Sequence, residues 1–274
     1  EAWFGEHHSG GIEISADPLL FIAAAARETR RIMLGAGVVD LPLHHPFLVA
    51  DRMVMLDHMT RGRAMLGVGT GALIADTRMM GVELDQKRQR SAESLAAIMA
   101  LLRAEGPVSM KTDWFELREA RLQLASYSKP HLPVAVAGAA STDGSSSSGR
   151  YGVGLMTGAR NVAALGKTWE WVEETAAKHG QTVSRADWRL MKFYHLAESR
   201  KEAYDDLREG LRRFHSLHLL AVSPDEVDDP HLAEKVVERG AACIGTPEDA
   251  VADLQRMQEA SGGFGGLLQA VYFL

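Results

Sequence analysis

The chain has 274 residues, 46% of them hydrophobic, and a formal net charge of −6 with acidic and basic residues interspersed. That length and apolar content can bury a full-sized core as one large domain or two small ones, which excludes a disordered description. Without any block of like charges, neither nucleic acid nor an anionic membrane surface is expected as a partner.

Cys243 is the only cysteine, so no intramolecular disulfide can form. No Cys/His cluster has structural-zinc spacing, so no metal is expected, and the cysteine usage fits a reducing, cytoplasmic setting. The longest apolar stretches, such as Leu19 to Ala26, fall well short of the ~20 residues that span a bilayer. Glu1 to His8 is polar and aromatic rather than a secretory signal.

In chain order, short β-rich runs alternate with longer helical ones, the pattern of parallel βαβ units. Ala2 to Gly5 predicts the end of a strand. Asp17-Pro18 supplies an N-cap and a proline at the first helical position, and the Ala-rich run to Arg27 continues that helix. Arg31 to Val38 predicts a buried strand ending in glycines, Pro46 to Thr60 a helix, and Arg63 to Val68 the next strand. Ser91 to Arg103 places Leu95, Ile98, Met99 and Leu102 on one face of an amphipathic helix that ends at Gly106. Val108 to Leu124 alternates apolar and polar residues around Lys111-Thr112-Asp113 and predicts a hairpin-like excursion outside the βα rhythm. Pro133 to Ala137 and Gly152 to Met156 predict two more strands. The glycine- and serine-rich stretch between them, Gly138 to Gly149, reads as a functional loop running into a short helix, because the flanking strands are too close together for a domain linker. Asn161 to His179, Arg200 to Leu220, His231 to Arg239 and Pro247 to Ala260 are helical in pattern, the last opened by Thr246-Pro247-Glu248-Asp249. Trp188 to Ala197 and Gly266 to Tyr272 complete the strands, with a short apolar run at Ala242 to Ile244.

About seven principal strands predict an α/β fold, a (β/α)8 TIM barrel over residues 1–274 as a single domain, lacking its first βα unit. A doubly wound sheet is the competing architecture. In a barrel, chemistry sits on the loops after each strand's C-terminal end. Four such ends carry candidate chemistry. Glu6-His7-His8 follows the first strand. Adjacent residues of an extended chain point to opposite sides, so one histidine faces a barrel mouth, and a histidine beside a carboxylate is either a general acid or base or a structural hydrogen-bonding pair. Gly35 to Pro46 is a loop with glycines for close backbone approach; its His44 and His45 precede Pro46 and read as turn residues rather than ligands. Gly67-Val68-Gly69-Thr70-Gly71 superficially suggests a dinucleotide fingerprint, but its third glycine is misplaced. Gly138 to Gly144 precedes a helix whose free N–H groups suit phosphate, with a solvated capping loop as the alternative.

Taken in order, Glu6-His7-His8, the Leu41-Pro42 and His45-Pro46 loop, Leu56-Asp57-His58-Met59-Thr60-Arg61-Gly62-Arg63, Gly67-Val68-Gly69, Pro133 to Ala137, the Ser141 loop and Gly263-Phe264-Gly265-Gly266 resemble the luciferase-like flavin monooxygenase family. Met110-Lys111-Thr112-Asp113-Trp114-Phe115 and Ala120 to Leu124 bring the resemblance nearest to limonene monooxygenase-like members. It implies a barrel that binds reduced FMN or FAD, FMN being preferred, often as a homodimer. His7 matches the first histidine of the family's Glu-His-His and is the implied catalytic group. Gly37-Val38 matches a strand end that often carries a non-proline cis peptide beside the isoalloxazine. Gly69 and Thr70 match the next strand's contact with flavin, and Ser141, Thr142 and Gly144 match the phosphate loop. The resemblance also expects a strand and helix ahead of Glu1.

The function so implied is that of a two-component monooxygenase. A separate NAD(P)H-dependent flavin reductase supplies reduced flavin, and the barrel uses it with dioxygen to oxygenate a small hydrophobic substrate that is terpene-, alkane- or ketone-like. Trp114, Phe115 and Tyr127 either line the pocket or are buried structurally. Three other readings remain: a dehydrogenase using a deazaflavin coenzyme on the same fold, a non-catalytic flavin-binding barrel, and a metal hydrolase built on His7, His45 or His195.

Overall fold

The computed structural model describes residues 1–11, 14–138, 142–218 and 229–270. The chain forms two compact units, Glu1–Ser9 with Glu13–Ala137 and Gly10–Ile12 with Gly138–Leu274.

The first unit begins with β1 (Ala2–Phe4), α1 (Pro18–Glu28) and β2 (Leu34–Asp40), then a 3-10 turn at Leu41–Leu43, α2 (Pro46–Thr60) and β3 (Ala64–Gly69). It continues through α3 (Ile74–Met79), α4 (Lys87–Arg103), β4 (Val108–Lys111) and β5 (Glu116–Ala120) to β6 (Val134–Gly138). The strands pair in parallel in the order β1-β2-β3-β6, with Ala2 opposite Leu34, Leu34 opposite Ala64 and Leu66 opposite Val134. β4 and β5 form the antiparallel hairpin of the 108–124 excursion.

Local chemistry sets most of these elements. Asp17 caps α1 by accepting from the Leu19 and Leu20 amides, and Pro18 occupies the first turn. α2 starts at Pro46 and stops where Arg61 turns left-handed (φ 55°). Asp57, fully buried near the end of α2, accepts from the Ser128 amide and hydroxyl, both at 2.8 Å, and so anchors the chain returning from the hairpin. Arg63 follows, and its guanidinium donates to the Ala26, Thr29 and Ile32 carbonyls, closing the C-terminal end of α1. The Asp-His-Met-Thr-Arg-Gly-Arg stretch is thus a structural fastener.

In the second unit, α5 (Thr142–Tyr151), β7 (Gly154–Gly158), α6 (Leu165–Lys178) and β8 (Trp188–Leu196) are followed by α7 (Arg200–His218), α8 (Leu232–Glu238), β9 (Ala242–Gly245), α9 (Pro247–Ser261) and β10 (Gly266–Ala270). β8 pairs in parallel with β7 along Trp188–Met191, with β10 along Arg189–Phe193, and at its far end with the short β9 along Phe193–Leu196. The core gathers Leu155, Trp169, Val172, Trp188, Leu190 and Met257, with the two indoles stacked 5.2 Å apart. The serine run is helical: Ser145 and Ser148 are buried, and a Cβ at Gly149 would meet the Val172 carbonyl, so small residues bring α5 and α6 close together. Thr246 opens α9 with a reciprocal capping box to Asp249.

Several boundaries differ from the sequence reading. β2 begins at Leu34 rather than Arg31 and runs past Val38 to Asp40, because parallel pairing to β3 resumes at Val39 and Asp40. α4 begins at Lys87, before Ser91, since its first turn is charged and carries no apolar stripe. α3 gives no periodic signal because Ile74 and Met79 are exposed. The predicted ends at Leu220 and Tyr272 lie outside the described residues. Among the described residues, no helix is long and apolar enough to cross a membrane.

Candidate active site

β1 and β2 lie side by side in parallel, so the segments leaving their C-terminal ends emerge together, and a buried carboxylate joins them. Glu6 Oε1 accepts from His44 Nε2 at 2.6 Å and from His8 Nε2 at 3.0 Å, while Oε2 accepts the Asp40 amide at 3.1 Å. Asp76, brought in by α3, accepts the His8 amide at 3.1 Å and the Ser9 hydroxyl, and its Oδ2 lies 3.7 Å from His7 Nδ1. The Asp40 side chain is buried against Gly71, whose φ of +76° suits glycine and where a Cβ would run into the Asp40 carboxyl. Lys87 donates to the Gly71 carbonyl at 2.9 Å and holds that loop.

The charges of this cluster are unequal. Burial pushes the Glu6 carboxyl up, but the hydrogen bond and positive charge of His44, with the bonds from His8 and the Asp40 amide, outweigh it and hold Glu6 below the usual range. For His44, burial favours the neutral ring, yet Glu6 overrides it and raises the imidazole. Asp76 is likewise lowered: burial opposes ionisation, and the Ser9 and His8 hydrogen bonds with the His7 and His8 charges prevail. Asp40 goes the other way. Burial and the adjacent Glu6 charge push it up to about 7, against the opposing pull of His7 and Lys87.

Of the residues implicated from sequence, His7 lies in this cluster at 17% side-chain exposure. The Gly37–Val38 peptide is cis, both residues are half-buried, and the pairing of β2 with β3 breaks between Ala36 and Val39. Gly69 faces Val38: a Cβ there would come within 2.8 Å of Val38 Cγ2. Thr70 is exposed just beyond β3. Gly37, Val38, Gly69 and Thr70 therefore gather at neighbouring strand ends of the first unit. Thr142 and Gly144 belong to the second unit, where exposed Thr142 opens α5 and buried Gly144 lies with its Cα 3.4 Å from where a Gly138 Cβ would sit. Ser141 lies outside the described residues.

The sequence reading of His44 as a turn residue misses its bond to Glu6, and it passes over Asp40 and Asp76. The signal for Asp40 is a carboxylate just before Leu41-Pro42, at the end of a strand that runs two residues past Val38. His45 occupies the N-cap position of α2 without a side-chain cap and meets Phe115 edge-on at 5.9 Å. Phe115 is buried, Trp114 donates to Glu93 at 2.8 Å, and Tyr127 is exposed and edge-on to His58. His195 bonds to Asp206 at 3.0 Å, and among the described residues no group of three or more His, Cys, Asp or Glu is placed to hold a metal ion.

A family model described as luciferase-like monooxygenase matches residues 1–262. The chain is 45% identical to limonene 1,2-monooxygenase of Rhodococcus erythropolis over 275 residues, 98% of this chain and 70% of that protein. It is 42% identical to 4-hydroxyprotoasukamycin monooxygenase of Streptomyces nodosus subsp. asukaensis over 98% of this chain and 75% of that protein. The crystal structure of the monooxygenase RslO1 from Streptomyces bottropensis matches with a TM-score of 0.83 at 26% identity, covering 98% of this chain and 80% of that one. The parallel βα units in each half and these matches agree: the chain belongs to the luciferase-like monooxygenase family, an enzyme family of oxidoreductases on an α/β TIM-barrel fold.

Proposed function

We propose that this chain is the oxygenase component of a two-component system, using reduced flavin and dioxygen to oxygenate a small hydrophobic substrate that is terpene-, alkane- or ketone-like. The observation that carries this reading is the histidine–carboxylate cluster at the ends of β1 and β2, which lies close along the chain to the half-buried Gly37–Val38 cis peptide, whose Val38 packs over buried Gly69. A strand end with a glycine peptide and small side chains suits a flat ring system; in the second unit, taken by itself, the exposed Thr142 hydroxyl and the first-turn amides of α5 suit a phosphate. When bound, the reduced flavin, FMN in this reading, supplies the electrons for dioxygen activation. Similarity to a protein named for limonene oxygenation supports an apolar substrate.

His7 gives and takes the proton of the reaction at an imidazole nitrogen. Glu6 fixes His8 and His44, so the loops that carry them keep their shape. In the first unit Gly37, Val38, Gly69 and Thr70 are the residues to bear the flavin ring; in the second, taken by itself, Thr142 and Gly144 suit a phosphate, a role the family resemblance also gives Ser141. A separate NAD(P)H-dependent flavin reductase supplies the reduced cofactor, and the chain works as a homodimer.

Anaerobic titration with reduced FMN, FAD and deazaflavin in turn, followed by admission of oxygen, tests the reading. Tight binding of reduced FMN with oxygen consumption coupled to substrate oxygenation is expected. Binding of deazaflavin alone would replace the reading with a dehydrogenase, and binding of none would end it. His7→Asn should uncouple the reaction, releasing hydrogen peroxide in place of oxygenated product; unchanged coupling would remove His7 from its role.

A further inference from the structure

Asp76 grips three consecutive residues beyond β1. Its Oδ2 accepts the His8 amide at 3.1 Å, its Oδ1 accepts the Ser9 hydroxyl, and Oδ2 lies 3.7 Å from His7 Nδ1. The His7 amide itself donates to the Ser15 carbonyl at 3.1 Å, so the backbone is tied on either side of the His7 side chain. The Asp76 side chain is 1% exposed and the imidazole 17%. α3 is a six-residue helix whose buried side chains are Asp76 and Thr77, while Ile74 and Met79 are exposed. Its buried face is polar, so what this helix adds is the placement of a carboxylate rather than core. A separation of 3.7 Å exceeds hydrogen-bond length, and what acts on the ring is the field of an anion at its Nδ1 edge. A neutral imidazole carries its one proton on Nδ1 or Nε2, and a carboxylate fixed beside one nitrogen favours the proton there.

We propose that Asp76 is a positioning residue for His7: it keeps the proton of the neutral ring on Nδ1, so that Nε2 is the nitrogen that exchanges a proton in the reaction. This rests on the reading of His7 as the proton-handling group and adds which of its two nitrogens takes part. In one direction the Nε2 lone pair accepts a proton and the ring becomes imidazolium, its positive charge facing the Asp76 anion. In the other the N–H bond at Nε2 breaks, the electron pair returns to that nitrogen and the proton leaves. Asp76 stays ionised throughout, and nothing is oxidised or reduced. The grip on the His8 amide and the Ser9 hydroxyl serves the same end, because a carboxylate held by two donors keeps its place beside the ring.

The test is nitrogen-detected NMR of the whole chain, without flavin or turnover, at a pH where the His7 ring is neutral; the spectrum of His7→Asn assigns the His7 signals. In the unmodified protein Nδ1 should resonate as the protonated nitrogen and Nε2 as the unprotonated one, the reverse of the preference of an unconstrained histidine side chain. Asp76→Asn keeps an oxygen for the His8 amide and a polar group beside the Ser9 hydroxyl but removes the charge. In that variant the Nδ1–H form should become the minor one, with the Nδ1 signal moving toward the unprotonated position. His7 in the Nε2–H form in the unmodified protein would overturn the proposal, and so would an unchanged ratio of the two forms in an Asp76→Asn protein with native circular dichroism. The first of these results needs no variant, so the proposal stays testable if Asp76→Asn does not fold. The His7→Asn coupling assay decides the role of His7 separately, so the two failures are distinguishable.

Discussion

The Nε2 of His44 lies 2.6 Å from Oε1 of Glu6, a charge-assisted contact between a buried carboxylate and a partly exposed imidazole that ties the loop after β2 to the loop after β1. The same oxygen takes His8, so one carboxylate organises both histidine-bearing loops.

Glu6→Gln keeps the shape but removes the anion. His44 loses the partner that raises it and should titrate nearer the ordinary histidine value, while unfolding stability at pH 7 falls by about 2–4 kcal/mol, as when one member of a buried pair is deleted. Histidine NMR and urea denaturation check the two effects; an unmoved His44 curve would refute the pairing.

Asp40→Asn should stabilise the protein in base. A carboxyl raised in the folded state contributes stability that is complete below its unfolded value and is lost as pH rises through the folded one, here from 3.8 to about 7. The raised His44 acts in the same direction at higher pH. The variant should therefore match the unmodified protein near pH 4 and exceed it by roughly 1–3 kcal/mol at pH 8. Thermal unfolding across that range measures it, and equal stabilities at pH 8 would contradict a carboxyl raised by burial and by Glu6.

Arg63→Ala leaves the carbonyls at the end of α1 without their donor, because one guanidinium reaches Ala26, Thr29 and Ile32. A loss of about 2–4 kcal/mol is expected by chemical denaturation. Arg63→Lys should recover less than half of it, since an ammonium cannot fork to several carbonyls.

Lys192 and Asp253 meet at 2.8 Å, both almost fully buried, and Tyr194 donates to the other Asp253 oxygen at 2.6 Å. Asp253→Ala strands the Lys192 ammonium and should cost about 3–5 kcal/mol. The double change Lys192→Met with Asp253→Leu should cost markedly less than either partner's loss alone, because no buried unpaired charge remains; Arg256, which also reaches Asp253 at 2.7 Å, is exposed. Equal costs for the single and double variants would argue against a buried ion pair.

Neighbouring residues settle among themselves the features that are legible in the chain. Asp17-Pro18 starts α1, Pro46 and Thr60 bound α2, and Thr246 to Asp249 cap α9, because capping and proline geometry act over three or four residues. The alternation of apolar runs likewise made the parallel βα plan legible, and the ordered strand-end motifs pointed to the family. Tertiary structure alone decided the partnerships: Glu6 with His44, Asp57 with Ser128, and Lys192 with Asp253 are far apart in the chain and join only when parallel strands align their ends or helices close over them. Asp40 shows the limit best. Its type and its place before Leu41-Pro42 are plain in the sequence, but what pushes its carboxyl up is burial and the charge of Glu6, both of which exist only once β1 and β2 lie side by side.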